Sequence, residues 1–501
     1  MSNPYTLPKR ARRPVWRPLH PRLTSLLLAL AAACSAGNGT GSGGGPGNNR
    51  PPVASAGGDR DVLLADLVAL DGSASHDPDG DPLRYRWTLR ARPVDSMAAI
   101  EEPAAATARF LVDRVGEYRV ELVVSDGIAT SDAVQVSLTA GPDDSLRVGP
   151  SRALRSPSAA ANVVQDGDVV RIDAGVYRGD VATWTRNDLR LVASGGEVQL
   201  IAEGEAAQGK AIWVVAGSRT TIEGITFDGC RVNDGNGAGV RLEGGAFLAR
   251  DCRFLRNQMG FLCGDLPQTD LVFEGCEFGW SQSDGALAHG LYVNRARSLE
   301  LRHCFVHDAS RGHLVKSRAA QTRILWSRIV DLAAGSSSYT IDLPDGGLAI
   351  LVGNVIQKGV DSQNETAVSF AEEHHGVHAT DELVLAHNTV VIDRRSGAFV
   401  YAAHGTARLV NNVFCGPGPV LTGAGSQQDN LQSQTPGFVD RAAFDYRLGT
   451  GSPAIDAGLP PGLAHGVALS PAFEYRDVAA CVARVDGGAA DLGAFAAAIA
   501  P

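Results

Sequence analysis

The sequence predicts an all-β protein in which a parallel β-helix, a solenoid of stacked coils, follows a small β-sandwich. Glycine is abundant, at 58 of 501 residues, and aromatic residues make up only 6%, which favours many turns over a helix bundle. A short phrase recurs between residues 223 and 416 at the spacing of one solenoid coil. Residues 51–140 instead alternate apolar and polar side chains between turn residues, as the strands of a sandwich do.

The first 34 residues read as an export signal. A basic segment precedes the short apolar run SLLLALAAA, which is too short to span a membrane and ends at Cys34. The AAAC ending resembles a bacterial lipobox, which predicts lipidation of Cys34, and Ser35 resembles the pattern sent to the outer membrane. Secretion without a lipid is the alternative. The glycine-rich residues 35–50 predict a flexible linker.

The predicted sandwich contains the phrases LDGSASHDPDGDPLRYRWT and GEYRVELVVSDG. These phrases resemble a polycystic-kidney-disease (PKD) type domain, an Ig-like β-sandwich that serves as a spacer or contacts carbohydrate or protein. Asp77, Asp79 and Asp81 could bind calcium, but a solvated acidic turn is the favoured interpretation.

The recurring phrase sets the coil register of the predicted solenoid. Its copies are EGITFDG, RDCRFLR, EGCEFGW, RHCFVHD, LWSRIVD, VGNVIQK, AHNTVVI and VNNVFCG, and their third residues are Ile225, Cys252, Cys276, Cys304, Ser327, Asn354, Asn388 and Asn412. The separations of 27, 24, 28, 23, 27, 34 and 24 residues suit three short strands and three turns. We therefore expect one inward ladder, in which the cysteines are small buried side chains rather than disulfides or metal ligands.

Between the ladder positions, each coil supplies a strand with one face in the core and one on a solvent groove. Alternation places Val315 inside and predicts Tyr292, Lys316 and Asp342 on successive rungs of one outer row. Further groups on this face are Asn294 and Arg318 beside the row, His289, His313 and Tyr339 at the strand starts, and Arg241 two coils earlier. The histidines expected in surface turns or loops are His303, His307, His374, His375 and His378.

From about 145 to 430 the chain resembles exported bacterial right-handed parallel β-helix proteins of the pectate-lyase-like superfamily. The resemblance rests on NGAGVR, HGLYV, GHLVKSRA and SYTIDLPDGG, and on the "GN.I" and "HNT.V" turns. YRLGTGSPAIDAG and ADLGAFA resemble the closing phrases of such proteins, which implies a β-helix over 145–501 with a cap from about 440. The phrases of pectin-hydrolysing β-helices and of alginate epimerases are absent, while polysaccharide lyases are a major activity of the superfamily.

A lyase acting on a uronic acid must neutralise the carboxylate, remove the adjacent proton and protonate the leaving oxygen. Arg318 is the predicted carboxylate clamp and Lys316 the base, with Tyr292, His289 or His313 as the acid and Tyr339 as a further catalytic candidate. Arg241, Asn294 and Asp342 are predicted to bind substrate. Related lyases often use calcium, for which the predicted ligands are Asp342, Asp345 and Glu372, and the His-rich loop 371–382 is a second metal candidate.

Two other functions fit the same fold. A glycoside hydrolase needs two carboxyl groups at a defined separation, for which Asp342 has Glu372 or Asp345 as partners. A non-catalytic glycan-binding or adhesion protein needs neither. The net charge of −10 argues against nucleic acid as a partner. With the lyase as the leading prediction, we expect a monomer that binds an anionic polysaccharide and meets the membrane only through a lipid on Cys34.

Overall fold

The protein is described by a computed structural model over residues 49–64, 66–79, 81–142, 145–282 and 287–497. The predicted signal peptide, Cys34 and residues 35–48 of the predicted linker lie outside the described residues. Within the described ranges the chain is almost entirely β, and its helices are α1 (Pro157–Ala161) and η1 (Arg441–Ala443). In these ranges no helix has the length and apolar character needed to cross a membrane.

The first domain is a β-sandwich, as predicted. Its strands are β1 (Arg60–Leu63), β2 (Leu67–Asp71), β3 (Arg84–Ala91), β4 (Thr107–Leu111), β5 (Gly116–Ser125) and β6 (Val134–Gly141). A four-stranded sheet in the order β1-β6-β5-β3 packs over the β2-β4 pair, with Phe110 and Tyr118 fully buried between them. In the acidic turn, the Asp77 carboxylate accepts the backbone N–H groups of Asp79 and Asp81 at 2.7 and 3.2 Å. The turn therefore stabilises itself through local hydrogen bonds.

The second domain is built from twenty-nine strands of one continuous sheet system. The first strands are β7 (Leu146–Val148), β8 (Val169–Arg178), β9 (Ala182–Trp184), β10 (Arg190–Ile201), β11 (Ala211–Val215), β12 (Thr220–Glu223), β13 (Ile225–Asp228), β14 (Ala238–Leu242), β15 (Phe247–Arg250), β16 (Arg253–Leu255), β17 (Met259–Cys263), β18 (Leu266–Glu274) and β19 (Glu277–Gly279). The middle strands are β20 (Leu291–Val293), β21 (Ala296–Arg302), β22 (Phe305–His307), β23 (Val315–Ser317), β24 (Gln321–Leu325), β25 (Arg328–Val330), β26 (Ile341–Leu343), β27 (Leu348–Val352) and β28 (Val355–Lys358). The last strands are β29 (Thr366–Phe370), β30 (Glu382–Ala386), β31 (Thr389–Ile392), β32 (Ala398–Val410), β33 (Val413–Cys415), β34 (Leu421–Gln428) and β35 (Leu431–Gln432).

From β11 to β29, every strand pairs in parallel with the strand three places later in the chain. Each coil therefore contributes one strand to each of three sheets, and the stacked coils form a parallel β-helix. The fold-class prediction is confirmed. One sheet, containing β14, β17, β20, β23, β26, β29 and the start of β32, is called the site sheet below because it carries the predicted outer row.

The predicted inward ladder is confirmed. Its residues lie at, or directly before, the first residue of the strands of one sheet, which are β13, β16, β19, β22, β25, β28, β31 and β33. Strand registers align its members, and each is fully buried. The Asn354 side-chain amide donates to Asn388 at 2.9 Å, Asn388 donates to Asn412 at 3.0 Å, and Asn412 donates to Asn430 at 2.9 Å. The sequence repeat missed Asn430 because the last coil is short. Throughout the described part of the chain the cysteines are free thiols.

The C-terminal segment extends beyond the end of the last coil and runs along the outside of the solenoid. Its strands are β36 (Phe438–Asp440), β37 (Asp445–Leu448), β38 (Leu463–Ala464), β39 (Val467–Ala468), β40 (Phe473–Arg476) and β41 (Ala480–Ala483). Phe473 packs on His303 and Trp326 with ring centroids 5.3 and 4.9 Å away. The predicted cap is therefore a flanking segment, because outward aromatic side chains of earlier coils need an apolar cover.

Candidate functional site

The predicted outer row exists on the site sheet. Tyr292 is registered with Lys316, and Lys316 with Asp342, so the three side chains stand on successive rungs. The row continues to Ser369 and Tyr401 on the next two coils. The predicted register is confirmed, and side chains distant in sequence meet because the strands stack at the ordinary sheet spacing.

A stack of aromatic rings lies beside this row at the strand starts. The His289 and His313 rings stack at 5.0 Å, and His313 stacks on Tyr339 at 5.3 Å. Glycine lets the coils approach here, since a Cβ at Gly312 would lie 2.2 Å from the carbonyl oxygen of Ala288.

Backbone hydrogen bonds fix the tautomer of both imidazoles. The backbone N–H of His313 donates to Nδ1 of His289 at 2.8 Å, and that of Tyr339 donates to Nδ1 of His313 at 3.0 Å. The ring proton of each neutral histidine must therefore be on Nε2. Nε2 of His313 lies 3.3 Å from a carboxylate oxygen of Asp342, to which it can donate.

Both histidines are held in the neutral form. Burial lowers the pKa of His289 to about 3 and lowers the pKa of His313 well below its usual range, and the nearby Lys316 charge acts in the same direction. At neutral pH they are hydrogen-bond donors at Nε2 rather than imidazolium acids. We therefore assign His313 the role of positioning Asp342.

These neutral histidines predict a loss of stability in mild acid. In the unfolded chain His289 is protonated below about pH 6.5, whereas in the folded protein it is protonated only below about pH 3. The free energy of unfolding should therefore fall by up to about 1.4 kcal/mol per pH unit as the pH decreases from 6.5 to 3. Denaturant titrations from pH 7 to 4 should show a shallower loss for His289→Gln. An unchanged slope in His289→Gln would contradict this origin.

Asp342 is the centre of the cluster. Its carboxylate lies 3.1 Å from the Lys316 ammonium, and the residue is only 3% exposed. It faces outward as predicted but is covered by neighbouring side chains. Burial raises the pKa of Asp342 to about 6, although Lys316 opposes the shift. The Lys316 ammonium also lies 5.6 Å from the centre of the Tyr292 ring, so Lys316 bridges the two neighbouring rungs.

Arg318 forms a second set of ion pairs on the same face. It donates to Asp345 at 2.8 Å and to Glu373 at 2.5 Å, while the other Glu373 oxygen lies 3.7 Å from Lys316. Burial works against ionised Glu373, but the hydrogen bond from Arg318 and the charges of Arg318 and Lys316 together outweigh it and lower the pKa of Glu373. Sequence reasoning missed Glu373 because it follows β29 in a loop, where strand alternation gives no direction.

The calcium ligands predicted from the sequence do not converge. Asp342 faces Lys316, Asp345 faces Arg318, and Glu372 accepts from the Tyr339 hydroxyl at 2.5 Å. Among the described residues, the potential ligand atoms that lie within 4.8 Å of one another belong to Asp345, Glu373 and His375.

This second set also fits calcium poorly. Arg318 already neutralises both carboxylates, and an imidazole nitrogen is not a ligand that calcium prefers.

The remaining predicted residues occupy the expected face. Arg241 lies on the same row two rungs before Tyr292, with 26% of its side chain exposed and Glu243 at 3.6 Å. Asn294 is half-buried immediately after β20.

The surface assignment was wrong for His307. It is 2% exposed in β22, with its ring nitrogens 2.7 Å from Asp308 and 3.2 Å from Glu277. His303 is half-buried against Trp326, while the exposed His375 ring lies 2.6 Å from Asp345 at the site.

A cleft of about 290 Å³ lies away from this cluster. It is lined by strands β25, β28, β37 and β40 and includes Arg328, Tyr446 and Tyr475. None of the site-sheet residues described above lines it. The polar groups of the site sheet are therefore separate from this cleft.

Among the comparisons with known proteins, the match to a protein-family model falls on the first domain. No curated protein matches the chain. Among solved structures, the PKD domain of human KIAA0319 is 26% identical over 23% of this chain and all of that domain, with a TM-score of 0.18. A family 28 exopolygalacturonase from Yersinia enterocolitica is 9% identical over 77% of this chain and 99% of that one, with a TM-score of 0.26.

A nucleoside hydrolase-related protein from Saccharophagus degradans, associated with carbohydrate metabolism, is 22% identical. That match covers 19% of this chain and 26% of the other, with a TM-score of 0.17. Because these TM-scores are all below 0.5, the β-helix assignment rests on strand pairing. Residues 49–139 match the PKD domain model, and since PKD domains are typically extracellular, the match favours export.

Proposed function

We propose that the protein is an exported carbohydrate-active protein that cleaves an anionic polysaccharide, binding a uronic acid unit at Lys316 and Arg318. One observation supports this proposal above the others. The two cations already bind a carboxylate, that of Glu373, at 3.7 and 2.5 Å. A uronate carboxylate presents the same two oxygens to the guanidinium fork.

β-Elimination is the leading reaction. Arg318 neutralises the uronate carboxylate, which makes the neighbouring C–H acidic, and neutral Lys316 takes that proton. The electron pair forms the new C=C bond as the glycosidic C–O bond breaks, and Tyr292 or water protonates the leaving oxygen. Asp342 and His313 hold Lys316 in place. Calcium is not part of this mechanism, because a cation at Asp345 would compete with Arg318.

Hydrolysis is a second candidate, favoured by the two carboxyl groups on either side of Lys316. Burial raises the pKa of Asp342 to about 6, whereas Arg318 keeps Glu373 ionised. Divergent pKa values of this kind assign a general acid and a carboxylate base or nucleophile in glycosidases. In that reaction Asp342 would protonate the leaving oxygen.

The pH dependence of cleavage separates the two reactions. An amine accepts a proton only when neutral, so elimination should accelerate as the pH rises into the alkaline range. Hydrolysis should slow as the pH rises through about 6, because Asp342 loses the proton that it must donate. A panel of uronic-acid polymers should be followed both by ultraviolet absorbance, which detects the unsaturated product, and by reducing ends. Reducing ends without absorbance would overturn elimination.

Glycan binding without turnover over days would instead indicate a non-catalytic adhesion protein with the PKD domain as its stalk. We propose a monomer that does not bind nucleic acid and that is held at the membrane only by a lipid on Cys34. Mass spectrometry of the mature N-terminus would distinguish a lipidated protein from a secreted one.

A further inference from the structure

Glu373 is the one acidic side chain among the described residues that contacts both Lys316 and Arg318. Its backbone is fixed, since its N–H donates to the carbonyl of Pro344 at 3.0 Å. Its side chain is 43% exposed, whereas those of Lys316 and Arg318 are 12% and 14% exposed. The carboxylate therefore lies on the solvent side of two cations that it covers.

A ligand must displace this carboxylate to reach the two cations. A neutral sugar offers only hydroxyl groups, and hydrogen bonds between a guanidinium and a neutral acceptor are weaker than those to a carboxylate. A uronate offers the same charge and fork geometry as Glu373 and can replace it. The Glu373 side chain is free to swing aside without movement of its backbone because it is so exposed.

We infer that Glu373 is an internal competitor that any ligand must displace from Lys316 and Arg318, so that only carboxylate-bearing glycan units bind strongly enough to occupy the two cations. This inference rests on the proposed binding of a uronate to the same two cations. Glu373 lowers the apparent affinity for neutral and anionic sugars alike and thereby sets the affinity that a ligand needs. The sequence repeat does not reveal this role.

The test compares Glu373→Gln with the full-length unmodified protein by calorimetric titration of free galacturonate and of glucose. Removing the competing charge should tighten galacturonate binding about tenfold, and glucose should show no measurable binding to the unmodified protein. Glu365→Gln is the matched control, because Glu365 lies just before the same strand, is exposed and hydrogen-bonds Ser396 instead. Its galacturonate affinity should equal that of the unmodified protein, and thermal unfolding should report that both variants fold.

Unchanged or weaker galacturonate binding by Glu373→Gln would overturn the inference, and so would measurable glucose binding by the unmodified protein. Equal tightening by Glu365→Gln would also overturn it, since a general change in charge would then explain the result. The proposed cleavage fails separately. Tighter galacturonate binding by Glu373→Gln in a protein that cleaves no polymer would support the competitor role and contradict the proposed enzyme. Polymer cleavage by a protein whose Glu373→Gln variant binds galacturonate with unchanged affinity would support the enzyme and contradict the competitor role.

Discussion

Replacing Lys316 with methionine is expected to lower the rate of polysaccharide cleavage by about 10²–10⁴-fold, the usual loss when a general base is removed. Methionine keeps most of the apolar stem but cannot exchange a proton. The measurement is the initial rate of product formation on a uronic-acid polymer at saturating concentration. In the elimination mechanism the decrease should appear in kcat, because Arg318 still binds the substrate carboxylate.

The same substitution leaves the buried Asp342 carboxylate without its 3.1 Å partner. Lys316→Met combined with Asp342→Asn removes that charge and tests whether lost activity reflects instability. Arg297→Ala, which removes a surface cation paired with Asp270, is the control and should retain full activity. Full activity in a folded Lys316→Met variant would contradict the assignment of Lys316 as base.

Replacing Asn388 with alanine is expected to give the largest loss of stability, about 3–5 kcal/mol. Its amide donates to the Leu351 carbonyl at 2.9 Å and to Asn412 at 3.0 Å, and its oxygen accepts the Asn354 backbone N–H at 3.0 Å. All of these groups are buried, so the substitution leaves several donors and acceptors without partners. The thermal unfolding midpoint and denaturant titration should both record the change.

Cys276→Ala is the matched control, since it lies on the same ladder and is also fully buried. Its thiol makes only weak contacts, at 3.5 Å to the carbonyls of Ala249 and Glu274. We expect a loss of about 1 kcal/mol. Equal losses for the two variants would show that burial alone, and not the amide hydrogen bonds, governs the ladder.

The solenoid could be predicted because the residues that determine its coils recur along the sequence. A ladder residue every 23 to 34 positions fixes the coil length, and alternation within short strands then fixes which side chains face outward. That reasoning placed Tyr292, Lys316 and Asp342 on neighbouring rungs, as the strand registers have them. Periodicity carries such information only where the backbone is a strand.

Two properties of the candidate site could not be predicted from the sequence: the residues that loops contribute, and the extent to which side chains are buried. Glu373 and His375 reach the site from the loop after β29, where no period applies. Asp342 points outward as predicted yet is almost fully buried, and the Lys316 and His313 side chains of the neighbouring rung contact its carboxylate. The predicted calcium ligands do not converge because each carboxylate contacts a different protein group. Asp342 contacts Lys316, Asp345 contacts Arg318, and Glu372 accepts a hydrogen bond from the Tyr339 hydroxyl.

The C-terminal flanking segment has a consequence for how the chain is made. Phe305, Trp326 and Ile350 belong to coils formed early in synthesis, but Phe473, Tyr475 and Leu469, which pack with them, emerge more than a hundred residues later. Until residues 469–475 have been synthesised, the growing solenoid exposes an apolar flank. Chains that stop before these residues should therefore aggregate even though their coils are complete, so the solubility of the solenoid depends on a segment that follows it in the chain.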